Sequence, residues 1–154
     1  TAAIITLAEH YAANKPEYDM YFIAFSGEDA YLRGSEWYAE HPIVPLSQIQ
    51  YLINLDMIGD NNPDLYCEVS DEGMDGFALF EEINTKNGYF RALDRAELAD
   101  NSDHYPFAVP CIFFMNENGD AFKYYHTVYD TWENAIFDNY EPTFKLIVEF
   151  IEKY

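Results

Sequence analysis

The chain has 154 residues, 49% of them hydrophobic and 18% aromatic, which is enough apolar material for one compact domain and argues against disorder. Asp and Glu number 28 against 8 Lys and Arg, a formal net charge of -20 that repels nucleic-acid phosphates and anionic lipid headgroups. No apolar run approaches the length of a membrane span, and Cys67 and Cys111, far apart in or beside apolar runs, read as small buried hydrophobes.

In chain order, Ile4, Leu7, Ala8 and Tyr11 recur at helical spacing. No capping residue stands before them, so the helix interior is expected to begin upstream of Thr1. Asn14-Lys15-Pro16-Glu17 breaks that pattern, and the apolar run Tyr18–Phe25 predicts a buried strand. Ser26-Gly27-Glu28-Asp29 forms a turn, and Leu32–Glu40 a short helix stopped by His41-Pro42. A second buried strand runs from about Ile49 to Leu55 and ends at Asp56, before the turn residues Gly59–Pro63. Strand, helix, strand predicts a parallel crossover unit. Further strands are expected at Leu65–Val69, near Tyr89–Ala92 and at Val109–Met115, with a helix over Gly76–Asn84. The last helix starts near Pro142 and is expected to bury Phe144, Ile147, Val148 and Ile151. With no repeat or linker, this is one α/β domain over 1–154: a three-layer sandwich with a mostly parallel or mixed sheet between helices.

In open α/β sheets ligands bind beyond the carboxyl ends of the strands. Three apolar runs end there in metal-type groups: Glu28-Asp29, Asp56, and, through a loop, Tyr125-His126. Each has two readings. Glu28-Asp29 decorates an exposed turn or balances a cation; Asp56 caps a turn or ligates; His126 is a partly buried aromatic-flanked histidine or a ligand. Their convergence on one sheet edge favours the chemical reading.

Four segments in one order, Phe22–Pro42, Ile53–Gly59, Asn101–Phe107 and Tyr124–Ala135, resemble the co-catalytic zinc aminopeptidases, a family that includes glutamate carboxypeptidases and, as relatives, glutaminyl cyclases. The resemblance implies that Glu28 is the general base, that Asp29 and His126 ligate one zinc and that Asp56 ligates the other. A pair of zinc ions lowers the pKa of a shared water while an uncommitted carboxylate moves its proton. Tyr125 matches a family tyrosine that donates to the scissile carbonyl oxygen; its other reading is a core aromatic. Ser102, Asp103 and His104 match a segment beside the metals, with Asp103 contacting substrate or orienting a neighbour and His104 structural. Asp130 is either the partner of a ligated imidazole's second N–H or a cap before Thr131-Trp132-Glu133.

Two departures matter. The family's Glu-Glu pair is Glu28-Asp29 here, one methylene shorter. The family's first histidine and bridging aspartate precede a helix like the opening one, so the resemblance implies the later part of a catalytic domain with an incomplete two-zinc site, weak zinc binding and no efficient hydrolysis by these residues alone. It further implies a peptide substrate and a secreted or periplasmic setting. The alternatives are a one-zinc glutaminyl cyclase and a non-catalytic peptide-binding relative. No His-Glu-x-x-His, Gly-x-Ser-x-Gly or phosphate-cradling loop is present, and Asp60, Asn62 and Asp64 mimic only the start of a calcium loop, so a turn is expected there.

Overall fold

A computed structural model describes residues 1–154. The elements in order are α1 (Ala2–Ala13), α2 (Arg33–Glu40), β1 (Leu52–Leu55), β2 (Asp64–Val69), α3 (Met74–Asn87), β3 (Ala92–Glu97), β4 (Cys111–Met115) and α4 (Tyr140–Lys153). The four strands form one mixed sheet in the order β1-β4-β2-β3. β1 with β4 and β2 with β3 run parallel, and β2 with β4 antiparallel.

Side-chain alternation divides the sheet into two faces. Leu65, Cys67 and Val69 of β2 and Ile112 and Phe114 of β4 point into the main core, under α1, α3 and α4. There Phe80 stacks on Phe150 at 3.9 Å between ring centres and meets Phe114 edge-on at 5.1 Å. On the other face Tyr38 of α2, Phe107 and Val109 make a smaller core with Phe25 and Leu52. Helices or loops thus cover both faces, which is the expected α/β sandwich. Both cysteines are buried and unpaired.

Four expectations shift. Tyr18–Phe25 joins no sheet, so the crossover expected between it and the next strand is not made; the parallel crossover in the sheet is instead β2-α3-β3. The weakly apolar edge strand falls at Ala92–Glu97 rather than Tyr89–Ala92, because pairing with β2 sets its register and none of its own side chains is buried. β1 is shorter than the apolar run, beginning at Leu52. On α4 the most buried residues are Thr143, Leu146, Ile147 and Phe150, a stripe rotated from the predicted one, because Phe144, Val148 and Ile151 sit at its margins.

Candidate active site at the strand ends

Glu28 lies in the turn between the unpaired run Tyr18–Phe25 and α2. The turn is tight: Leu32 N–H donates to the Glu28 carbonyl at 2.9 Å, and Arg33 N–H to that of Gly27 at 3.2 Å. Gly27 holds φ +72, and Leu32, at the start of α2, holds the left-handed φ 53. Gly34 is required by contact, since a Cβ there would stand 2.4 Å from the Ser26 carbonyl oxygen. The first turn of α2 is thereby pressed against the segment that presents Glu28.

Asp56 follows β1 directly, and Met57 after it holds φ 54. A left-handed non-glycine residue costs about 1–2 kcal/mol, so packing must enforce this bend. The Asp56 carboxylate is held from behind: Ser102 Oγ donates to its Oδ2 at 2.9 Å, and Asn54 Nδ2 donates to Ser102 Oγ at 2.9 Å. Asn54 also lies 3.2 Å from His104 Nδ1. His104 is 1% exposed, stacks on Phe113 and sets its Nε2 3.1 Å from the Ala99 carbonyl, the geometry of a neutral imidazole donating through Nε2 and accepting through Nδ1. Burial pushes its pKa below the usual histidine value, outweighing the pull of Glu68. His104 is structural, as expected. Asp103 next to it accepts a 2.6 Å hydrogen bond from Ser35 Oγ on α2.

Tyr125 and His126 ride on the loop after β4. One carboxylate anchors that loop: Asp60 Oδ1 accepts from Ala121 N–H at 3.1 Å, and Oδ2 from Phe122 N–H at 2.9 Å. His126 holds φ 56 and its ring stacks on Tyr125 at 3.8 Å. Its Nε2 stands 3.6 Å from Asp29 Oδ1, with both side chains largely exposed. Tyr125 is 44% exposed, so it is not the core aromatic of its second reading. Asp130 is exposed; its carboxylate bonds neither His126 nor the helical turn Trp132–Asn134, whose N-cap, Thr131, makes no side-chain cap.

The electrostatics tie these residues together. Glu28 is held above the usual carboxyl range by burial first, then by the charges of Asp56, Asp29 and Asp103, with His126 opposing. Burial, then Asp56, Glu28 and Asp29, pushes the Tyr125 phenol up. Burial and Asp56 raise Asp103 against the Ser35 hydrogen bond. Glu28, Asp29, Asp56, Asp103, Tyr125 and His126 thus share one cluster, with Ser102 behind Asp56. Carboxylate and imidazole are donors that zinc accepts. No three such donors converge on one point anywhere in the chain, so these residues offer ligands without closing a metal cage. Sequence reading missed three supports. Asn54 is signalled only as an amide inside an apolar run, Ser35 carries no signal, and Asp60 reads only as a turn residue.

Sandwiches of this kind place chemistry beyond the carboxyl ends of their strands, where this cluster lies. The chain belongs to peptidase family M28, whose profile matches residues 1–151. It is similar in fold to an aminopeptidase from Aneurinibacillus sp. strain AM-1, with TM-score 0.77, 21% identity, and coverage of 99% of this chain and 37% of that one. BSAP, a zinc aminopeptidase from Bacillus subtilis, gives TM-score 0.75 at 21% identity, over 99% and 39%. A glutaminyl cyclase from Bacteroides thetaiotaomicron gives 0.73 at 19%, over 99% and 60%. No curated protein matches the sequence. The chain therefore spans about two-fifths of the length of these aminopeptidases.

Proposed function

We propose that residues 1–154 carry the proton-transfer half of a zinc-dependent aminopeptidase site, with Glu28 as general base. The observation behind this reading is the raised carboxyl of Glu28 amid Asp29, Asp56, Asp103 and His126, in a chain matched to a peptidase family along almost its whole length. A carboxylate crowded by like charges and partly desolvated is a better base than a free one, and its protonated form is more populated near neutral pH, ready to pass the proton on. Glu28 takes a proton from the attacking water and delivers it to the leaving amine. Tyr125 donates its hydroxyl to the carbonyl oxygen as charge grows there. Asp29 with His126, and Asp56 separately, would hold zinc, with the remaining ligands coming from polypeptide outside residues 1–154. Zinc, when bound, acidifies water and polarises the carbonyl.

The test is Glu28→Gln in a polypeptide that includes those further ligands, assayed on aminoacyl-nitroanilides. Turnover is expected to fall by roughly 10²–10⁴ with zinc content unchanged. Full activity in Glu28→Gln would overturn the assignment, as would tight zinc binding with turnover by residues 1–154 alone. The likeness to a glutaminyl cyclase keeps one second reading: release of pyroglutamate instead of a free amino acid would establish it.

A further inference from the structure

Asparagine is followed by glycine twice, at Asn87-Gly88 and Asn118-Gly119. This pairing favours attack by the glycine nitrogen on the asparagine side-chain amide, because no Cβ shields that nitrogen and the glycine backbone turns freely. Both asparagines are exposed, so access to water does not separate them, and hydrogen bonding does. Asn87 ends α3, where its Nδ2 donates to the Ile83 carbonyl at 3.0 Å and to Glu149 Oε2 at 3.1 Å. The nitrogen of Gly88 is engaged as well, donating to the Asn84 carbonyl at 2.7 Å. At the other pair neither group is held: the Asn118 side chain makes no hydrogen bond and Gly119 N–H has no acceptor.

The chain on either side of Asn118-Gly119 is clamped. Before it, Asn116 N–H donates to the Met57 carbonyl at 3.1 Å, and Asn62 Nδ2 donates to the Glu117 carbonyl at 2.6 Å. After it, Asp120 N–H donates to Asn61 Oδ1 at 2.9 Å, and the next two N–H groups go to Asp60. Asn118-Gly119 is thus a free link between two held stretches, with Asn118 in the left-handed region at φ 62. Gly119 cannot be exchanged for a hindered residue, since a Cβ there would stand 2.5 Å from Asp60 Oδ1. The anchor of the loop that brings Tyr125 and His126 to the cluster therefore requires the residue that leaves Asn118 open to attack.

We propose that Asn118 is a site of spontaneous deamidation and that its conversion loosens the loop carrying Tyr125 and His126. The Gly119 nitrogen forms a bond to Asn118 Cγ, its proton leaves with Nδ2 as ammonia, and a succinimide ring closes. Water then opens the ring at either carbonyl. Opening at Cγ gives aspartate; opening at the main-chain carbonyl gives isoaspartate, whose backbone runs through Cβ and Cγ and is one methylene longer. Either product adds a carboxylate beside Glu117 and Asp120 in a chain of net charge -20. Isoaspartate also displaces Gly119 against Asp60, where there is no room even for a Cβ, and so draws Ala121 and Phe122 N–H away from that carboxylate. The inference needs no hydrolytic activity and stands apart from the proposed function.

The chain held at mildly alkaline pH, with samples taken over time for peptide mapping by mass spectrometry, tests the site. Asn118 is expected to convert roughly ten-fold or more faster than Asn87 in the folded chain, since a hydrogen-bonded group reacts only through local opening. In urea the two rates are expected to converge, because unfolding leaves only the Asn-Gly sequence that both share. Hydrogen exchange on the aged protein is expected to quicken roughly ten-fold or more across Ala121–His126. Asn118→Gly keeps the left-handed turn and has no amide to lose, so its exchange there is expected to stay unchanged on ageing. Equal rates for the two asparagines in the folded chain, or conversion of Asn87 first, overturn the assignment. Conversion of Asn118 without faster exchange in Ala121–His126 overturns the effect on the loop, as does equal loosening of aged Asn118→Gly.

Discussion

Asp60 accepts the backbone N–H groups of Asn61, Ala121 and Phe122, so one carboxylate in the turn after β1 holds the start of the loop that brings Tyr125 and His126 to the cluster. Gly119 lets it approach, since a Cβ there would lie 2.3 Å from the Asp60 carboxyl carbon. Asp60→Ala strands two of these donors in half-buried backbone and is expected to cost about 1–3 kcal/mol, with Asp60→Asn losing less, as measured by urea unfolding. No loss in Asp60→Ala would mean water replaces the carboxylate. Asp60 was legible only as a turn residue, because its partners lie about sixty positions further along the chain. Glu28, Asp29 and Asp56 were readable for the opposite reason: each follows an apolar run, and the end of such a run is a place in space as well as in sequence. Ser35 and Asn54 act on residues far away in the chain, Asp103 and Ser102, and nothing local reveals that.

At the scale of elements, His104 ties the sheet to the loop that follows β3. It touches Asn54 of β1, stacks on Phe113 of β4, approaches Glu68 of β2 at 3.8 Å and reaches Ala99 through Nε2. Its folded pKa is depressed, so the unfolded chain takes up the proton first as pH falls. The stability this imidazole contributes is therefore complete above the ordinary histidine value of about 6.5 and is lost progressively as pH drops below it. Glu28 and Asp103 act in the reverse direction, because their raised values favour the protonated folded state and cost stability as pH rises through them. Subtracting the pH profile of His104→Gln from that of the parent chain isolates the histidine. The difference in unfolding free energy is expected to shrink from about pH 7 towards about pH 5; a difference that grows on acidification would mean the imidazole is charged in the fold. The strands were legible to the extent that their own side chains explain them. β4, apolar throughout, appeared almost where predicted, β3 did not, and Tyr18–Phe25 has strand composition but no partner inside the chain.

Across the whole molecule, 36 charged side chains, 28 of them acidic, sit on a small domain with few pairings between opposite signs. The Lys and Arg pairs are Arg91 with Asp64 and Lys145 with Glu141, and in both the cation is more than half exposed. Exposed pairs of that kind contribute about 0–1 kcal/mol each, whereas the unbalanced carboxylates repel one another throughout the surface. The repulsion falls as the ionic atmosphere tightens from about 30 Å at about 0.01 M salt to about 3 Å at about 1 M. Sodium chloride is therefore expected to raise the thermal midpoint of residues 1–154 steadily over that range. The acidic cluster adds to the effect, because the charges of Asp56, Asp29 and Asp103 raise the carboxyl of Glu28, that of Asp56 raises Asp103, and no Lys or Arg contributes to either shift. Replacing Asp29 and Asp56 together with Asn should flatten the salt dependence and raise the midpoint at low salt. A midpoint that falls with salt would show that the few ion pairs outweigh the surplus of negative charge, and that the cluster lies too far into solvent to strain the fold.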